Sequence, residues 1–533
     1  MPAKNNQQIF KKWVPTWLIY VTLFVFLLPV AVVLGIYMSG IPSAASYYGV
    51  DSIDIRYSIV VYYLAIATFF PLEARFFNFF ASKPYLAACI SLYLLINILL
   101  YNVQSYALLL VMRFVGGAIS HGIIGIMFTL VFKQFHEQRS RVLGYATLYS
   151  ILFGSAPLAN ILDAHLFTHF NFNSLFLFKI YSVIPGTILM FIILRKNTDL
   201  RRQGKIPLKT ADWPSFVLYA SSLLLLAYIF LYGQYYQWFN SARIVYCTMA
   251  FGVIFGLFVL RQINLPEPYI NLRIFKTRNF RIGMLLLILF YFSKGDMGLL
   301  NRFMARSVNL DNYHQGYLML TNGLGIVVGA LLSARFILAN RRIRLIWMTG
   351  FGALWLFHFY SFMIINHQAE AKDLLIPLFL QGFGNGVLIL SIVIFYATSV
   401  PADLGFSASV TGVAFRATTF TATMGFTGWA GLHIQKLHHS SITKELTAAN
   451  SDLAQRINGY TQTLLNKGLT PEQSHAGALK LFGQSLADQN NLLFVRDYYL
   501  YLCIFIGLII MGIALIPHFR YHIKKIGNKL IPI

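Results

Sequence analysis

Residues 106–141 read YALLLVMRFVGGAISHGIIGIMFTLVFKQFHEQRSR. The first part, 106–132, is apolar over a length that crosses a bilayer, since about 20 apolar residues span a hydrocarbon core about 30 Å thick. Lys133, Arg139 and Arg141 then fall together in a short polar gap, and another apolar run opens at residue 143. In lipid only helices or closed barrels satisfy every backbone polar group. These runs are continuous and do not alternate, so they read as helices.

The same unit repeats outward in both directions. Spans are expected at 13–38, 57–80, 84–103, 106–132, 143–166, 174–194, 213–235, 241–262, 280–303, 315–338, 343–366, 374–398, 406–432 and 497–516. That is an all-α polytopic membrane protein of about fourteen helices on the length criterion. Composition agrees: 57% of residues are hydrophobic and 11% charged, against roughly 25% charged in soluble chains. The basic start with Lys4, Lys11 and Lys12 resembles a secretory leader, but the run behind it exceeds an h-region of about 7–15 residues. It is read as an uncleaved first span. Cys89, Cys247 and Cys503 lie on different segments and form neither a metal spacing nor a disulfide framework.

Basic residues fall in every second gap except the one near Ala402, which holds Asp403 and no base. One set holds Lys83; Lys133, Arg139 and Arg141; Arg195, Lys196, Arg201, Arg202, Lys205 and Lys209; Arg261, Arg273, Lys276, Arg278 and Arg281; Arg335, Arg341, Arg342 and Arg344; and the tail from Arg520. The other short gaps hold few bases. By the positive-inside rule the first set is cytoplasmic, with both termini. The net charge of +24 is thereby assigned to topology, and no nucleic-acid partner is expected. The gap at 433–496 falls outside by the same parity. Its apolar residues recur at helical spacing around Gly468 and Pro471, which predicts a helical hairpin, either a docking element or a solvated cap.

The fourth and twelfth spans carry related glycine-rich stretches, 112–117 and 381–386. Setting aside the pair at 213–262 leaves two six-helix halves, the usual build of a secondary transporter. Three units are expected: 1–200 and 266–533 as six-helix bundles, and 201–265 as two additional spanning helices.

Residues 267–280, Gln381-Gly-Phe-Gly384, Phe415-Arg416 with its Thr- and Gly-rich continuation to Gly431, and Arg113 with Gly116 and Gly117 carry a family resemblance. The chain resembles the fourteen-helix branch of the major facilitator superfamily, the EmrB/QacA-type drug:proton antiporters. That resemblance implies a major facilitator fold, export of amphipathic small molecules in exchange for protons, and, in a Gram-negative envelope, a periplasmic adaptor and outer-membrane channel as partners. Ala156-Pro157 resembles the start of the antiporter motif, but Asn160, Asp163 and Ala164 replace its glycine-rich end. The first span lacks the acid expected before Ile41-Pro42, and residues 73–80 lack the loop motif's glycine.

Charges inside spans cost about 2.5–3.5 kcal/mol each on insertion scales, so each is a functional candidate. Asp296 is the first choice for proton coupling, the alternative being a structural ion pair; Lys294, two residues away, is expected to face another neighbour. Glu73 either lines the cavity or ties to Arg75. Asp163 is a further proton-coupling candidate; it and Arg113 are expected in the outer half, where they would pair as a gate or to tune its pKa, the alternative being an interfacial acid touching water. Arg416 must face the protein interior, where it would bind an anionic group or neutralise a neighbour. His121 and His358 are read as packing histidines. Tyr63, Phe69, Tyr291 and Phe292 are candidates for an apolar substrate cavity. Gly116, Gly117, Gly384, Gly386, Gly425 and Gly428 are expected at close helix contacts. The absence of a P-loop, a Gly-x-Ser-x-Gly elbow and a Cys/His cluster argues against ATP-driven transport, hydrolysis, a cofactor or a metal. Two functions remain: proton-coupled export of amphipathic molecules, or carriage of one specific lipid, siderophore or metabolite without that coupling.

Overall fold

The computed structural model describes residues 9–79, 82–135, 137–195, 211–366, 369–446 and 450–516. Lys4, the bases at 196–209 and the basic tail from 517 lie outside them. The first half runs α1 (Thr16–Ser39), α2 (Ile41–Tyr48), α3 (Ser52–Phe79), α4 (Ser82–Asn102), α5 (Tyr106–Phe132), α6 (Glu137–Gly154), α7 (Ala156–His169) and α8 (Ser174–Ile193). Next come α9 (Trp213–Tyr232) and α10 (Ala242–Asn264). The second half runs α11 (Arg278–Ser293), α12 (Met297–Arg306), α13 (Asn312–Leu338), α14 (Ile343–Ile364), α15 (Leu375–Thr398), α16 (Gly405–Glu445), α17 (Ser451–Leu465) and α18 (Pro471–Leu515).

Thirteen described stretches are long and apolar enough to cross a membrane. The thirteenth expected span, inside α16, is not among them, because its threonines, serines, glycines and Arg416 dilute its apolar character. It still packs as a spanning helix, against α3, α9, α11 and α18.

Two expected spans, 143–166 and 280–303, are interrupted, and a short helix follows directly on the first span. Gly40 separates α1 from α2, and Ser155 separates α6 from α7; Pro42 and Pro157 sit in the first turns of the following helices, where a missing N–H costs nothing. The ninth span, expected to run unbroken over 280–303, stops at Ser293 and restarts at Met297. Gly295 takes φ +72° there, a left-handed conformation that ends a helix at low cost only in glycine. Asp296 caps the restart, its Oδ1 accepting from Gly298 N at 2.8 Å. Asp296 is therefore at a helix start and not inside a helix as its position in the apolar run suggests.

The hairpin expected at 433–496 is helical, but larger and continuous with its neighbours. α16 runs 41 residues and α18 runs 45, so the fourteenth span is the second half of one helix. His438 Nε2 lies 2.8 Å from Asp497 Oδ2 at the base of this projection, and α17 packs on α18 with none of its own residues buried.

The tightest interface is between α13 and α15. Gly325 and Gly329 face the backbone of Phe379 and Phe383, while Gly382 and Gly386 face that of Asn322 and Ile326. Spacing of four puts each pair on one helix face, and small residues let backbones approach in lipid. Gly117 meets the Tyr62 carbonyl, Gly384 meets α14 at Leu354, and Gly425 meets the Phe230 carbonyl of α9. Gly116 and Gly428, expected at such contacts, face open space instead, with at most Tyr62 at 4.0 Å from a Cβ at residue 116. The pair α9 and α10 leans on α3 and α16 through α9; α10 buries only Ile244, Phe258 and Gln262.

Candidate functional site

A cavity of about 1370 Å³ lies between the two halves. It exceeds the roughly 300–1,000 Å³ of ordinary small-molecule sites. Aromatic side chains make up much of its wall, and its lining reaches from Arg56, Asp296 and Asn301 to Ser140, Arg141, Glu267 and Asp403. Tyr63, Tyr291 and Phe292 line it as expected from the sequence. Phe69 does not; its ring stacks on Phe76 at 5.9 Å and meets Phe216 of α9 at 6.2 Å.

On the first-half wall, Glu73 and His121 face each other. Glu73 is 5% exposed and His121 is 6% exposed. Oε2 of the carboxylate lies 3.7 Å from Nε2 of the imidazole. The His121 ring packs on Phe70 with centroids 4.4 Å apart. One turn along α5, Gly125 leaves room for the carboxylate: a Cβ there would stand 3.2 Å from Glu73 Oε1. Glu73 therefore lines the cavity; the side chain of Arg75, its alternative partner, lies outside the described set.

On the second-half wall, the broken ninth span exposes backbone groups, and each is met by a different helix. His358 Nε2 lies 2.8 Å from the Ser293 carbonyl; a carbonyl only accepts, so this nitrogen carries the proton. Gln381 Nε2 donates to the Lys294 carbonyl at 3.0 Å, and Asn322 Nδ2 donates in turn to Gln381 Oε1 at 2.5 Å. Asp296 N donates to Tyr498 Oη at 3.1 Å. Irregular backbone at membrane depth is tolerated only where protein or a water-filled cavity satisfies it, and broken helices of this kind commonly form transporter sites.

The cations of the cavity are held by aromatics. Lys294 Nζ lies 4.9 Å from the Tyr291 ring and 5.2 Å from the Phe420 ring. Lys294 and Asp296 lie together in the break and interact electrostatically, with no ion pair within 4 Å among the described residues. Arg416 Nη1 donates to Tyr149 Oη at 3.0 Å, and its buried Nε has no hydrogen-bond partner. Arg56 of α3 lines the same cavity and interacts electrostatically with Asp296 and Arg302 across it.

The expected pair of Arg113 and Asp163 does not form. Arg113 turns into the first-half core, its guanidinium 3.3 Å from the Tyr37 ring. Asp163 is half-buried beside Ser39, with Oδ1 unpartnered, and does not line the cavity. Both reach α1, Arg113 at Tyr37 and Asp163 at Ser39, but from different sides, so they do not meet. Sequence reasoning missed Arg56, which falls just before the span expected at 57–80, and the pairing role of His121. It also missed Gln381 and Asn322 as partners of the break. Among the described residues no group of His, Cys, Asp and Glu is arranged to hold a metal.

No family model matches the chain. It is 23% identical over 278 residues to the colistin resistance protein EmrB of Acinetobacter baumannii, covering 51% of this chain and 52% of that protein. The matched segment thus spans about half the length of that relative. It is 20% identical over 414 residues to the probable multidrug resistance protein EmrY of Escherichia coli (strain K12), covering 77% of this chain and 79% of that one. A solved POT family transporter, in complex with a thioalcohol conjugated peptide, superposes with a TM-score of 0.58 at 13% identity, over 96% of this chain and 100% of that chain. The chain is an integral membrane protein with the major facilitator fold of roughly fourteen helices, and it resembles the EmrB-type branch.

Proposed function

We propose that this protein is a secondary active exporter of amphipathic or hydrophobic small molecules, working by alternating access and driven by proton entry. The observation that carries the proposal is the large aromatic cavity between the halves, with a carboxylate–imidazole pair in one wall and a broken helix in the other. An apolar, roomy wall suits ligands of varied shape. The names of the matched relatives, for colistin and multidrug resistance, agree with this class.

In this mechanism residues 1–200 and 266–533 act as two six-helix bundles that rock about the cavity, with 201–265 as a peripheral pair. The α13–α15 glycine interface keeps part of the second bundle rigid. Glu73 takes a proton from the cavity when it is open to the acidic side and releases it when open to the other. His121 stands close enough to accept or return that proton directly or through one water. Substrate rests on the aromatic wall, and Arg416 and Lys294 are available to an anionic group. Asp296 serves first as a helix cap, and its second oxygen is the remaining coupling candidate. The parity of basic gaps supports cytoplasmic termini, and the bacterial relatives support a bacterial inner membrane. The helical projection at 433–496 then stands outside, available to a periplasmic adaptor and outer-membrane channel.

Efflux from proteoliposomes under an imposed pH gradient tests the proposal. Wild type is expected to concentrate substrate against its gradient, Glu73→Gln to equilibrate it without concentrating it, and Asp296→Asn to keep most of the wild-type activity. Equal gradient-driven transport in wild type and Glu73→Gln overturns the coupling assignment. One observation favours a second function, an uncoupled carrier of a specific metabolite: α1 lines the cavity with Ala31, Gly35, Met38 and Ser39 and no acid. Transport by wild type that no gradient accelerates would support it.

A further inference from the structure

Two cations are buried in the core of the first half, apart from the central cavity. Arg113 of α5 is 7% exposed and Lys179 of α8 is 5% exposed. They sit on the same ring: the Arg113 guanidinium is 3.3 Å and the Lys179 ammonium 5.6 Å from the centroid of Tyr37. Tyr62, at 5.5 Å from Arg113, and Phe176, at 5.0 Å from Lys179, complete an aromatic surround. Among the described residues neither cation has an acidic partner within ion-pair distance, and Nε and Nη2 of Arg113 are buried without a hydrogen bond. Beside them is a separate cavity of about 40 Å³, lined by both cations and by Tyr62, Tyr93 and Asn97.

Two like charges at membrane depth repel each other and lose their hydration. Cation–π contact with tyrosine returns only part of that loss. A neutral water in the cavity would bond to the guanidinium but leave both charges uncompensated. The volume admits a water-sized body or a single small ion and excludes a substrate-sized carboxylate. We propose that this pocket binds a small inorganic anion of the halide class, held between Arg113 and Lys179 as a structural counter-ion that ties α5 to α8 against Tyr37 of α1. The site is independent of substrate transport, and its tests read diffraction and stability.

The decisive test uses crystals of the full-length protein soaked in bromide. An anomalous peak between Arg113 and Lys179 is expected; its absence, with bromide ordered elsewhere in the same crystal, overturns the proposal and leaves Lys179 as a neutral packing residue. In detergent solution, replacing gluconate by chloride at constant ionic strength should raise the melting temperature, by about 2–4 °C for a hundredfold rise in chloride above its Kd. Lys179→Glu, which gives Arg113 an internal carboxylate, should fold and melt at a temperature that no longer depends on chloride. A chloride response of wild-type size in Lys179→Glu would overturn the assignment, because the halide would then act elsewhere.

Discussion

Oε2 of Glu73 lies 3.7 Å from Nε2 of His121 across the α3–α5 contact, inside the wall of the central cavity. Neither residue is a neighbour of the other in sequence, and each alone has an ordinary explanation. Together they make a buried acid–base pair with access to the cavity, which is what proton coupling requires. The space for the carboxylate depends on Gly125, where a Cβ would stand 3.2 Å from Oε1. Gly125→Ala should therefore displace the carboxylate by a few tenths of an ångström and slow gradient-driven transport roughly two- to tenfold. Its melting temperature should stay close to wild type. An unchanged transport rate would show that the carboxylate position is immaterial.

The break in the ninth span separates a capping role from a coupling role at Asp296. Asn caps a helix as well as Asp, whereas Ala does not. Asp296→Asn should leave stability within a few tenths of a kcal/mol, and Asp296→Ala should cost about 0.5–2 kcal/mol. Gly295→Ala, forced to φ +72° with its Cβ 2.9 Å from His358 Cε1, should cost about 1–2 kcal/mol. Thermal unfolding of the four proteins in one detergent checks the order. Equal losses for Asp296→Asn and Asp296→Ala would mean that the charge, and not the cap, holds the break.

The glycines divide into those in contact and those in space. Gly386→Val drives a side chain into the Ile326 carbonyl of α13 and should cost at least about 1–3 kcal/mol by overpacking. Gly428→Ala meets nothing within 4 Å and should be neutral or slightly stabilising, since Ala is the better helix former by about 1 kcal/mol. Melting temperatures of the two variants distinguish packing glycines from incidental ones.

At the start of α9, Asp212 caps the helix at Ser215 N and accepts from Arg261 at 2.9 Å. Burial raises its pKa, but the hydrogen bonds from Ser215 and Arg261 outweigh burial and lower it overall. A carboxyl lowered in the folded state contributes stability that is complete above its unfolded value, about 3.9, and is lost as pH falls through the folded value. Asp212→Ala should thus cost about 0.5–2 kcal/mol at pH 5–7, with the Arg261 share reduced by its exposure. The gap to wild type should shrink below about pH 4. Unfolding midpoints across that range measure it.

Much of the fold was legible because bilayer length acts over whole segments. The breaks were legible too, though passed over. Lys294-Gly295-Asp296 carries a helix stop followed by a helix start, and these signals lay inside a run judged by its hydropathy alone. Lys179 was lost the same way, six residues into an apolar run. The candidate site was harder, since side-chain partners across helices depend on rotation about each axis. Depth can be estimated from position along a span, which put Arg113 and Asp163 level; rotation cannot, which is why they do not meet. His121 and Glu73 meet for the same reason in reverse.

The central claim is that protons and substrate move in opposite directions through one cavity, with Glu73 as the carrier. The most direct measurement loads proteoliposomes with substrate at equal internal and external pH, and follows internal pH with a trapped dye as substrate leaves. The wild type should acidify the interior in proportion to efflux, and Glu73→Gln should release substrate with no acidification. Efflux from wild-type vesicles without any change in internal pH would contradict the account.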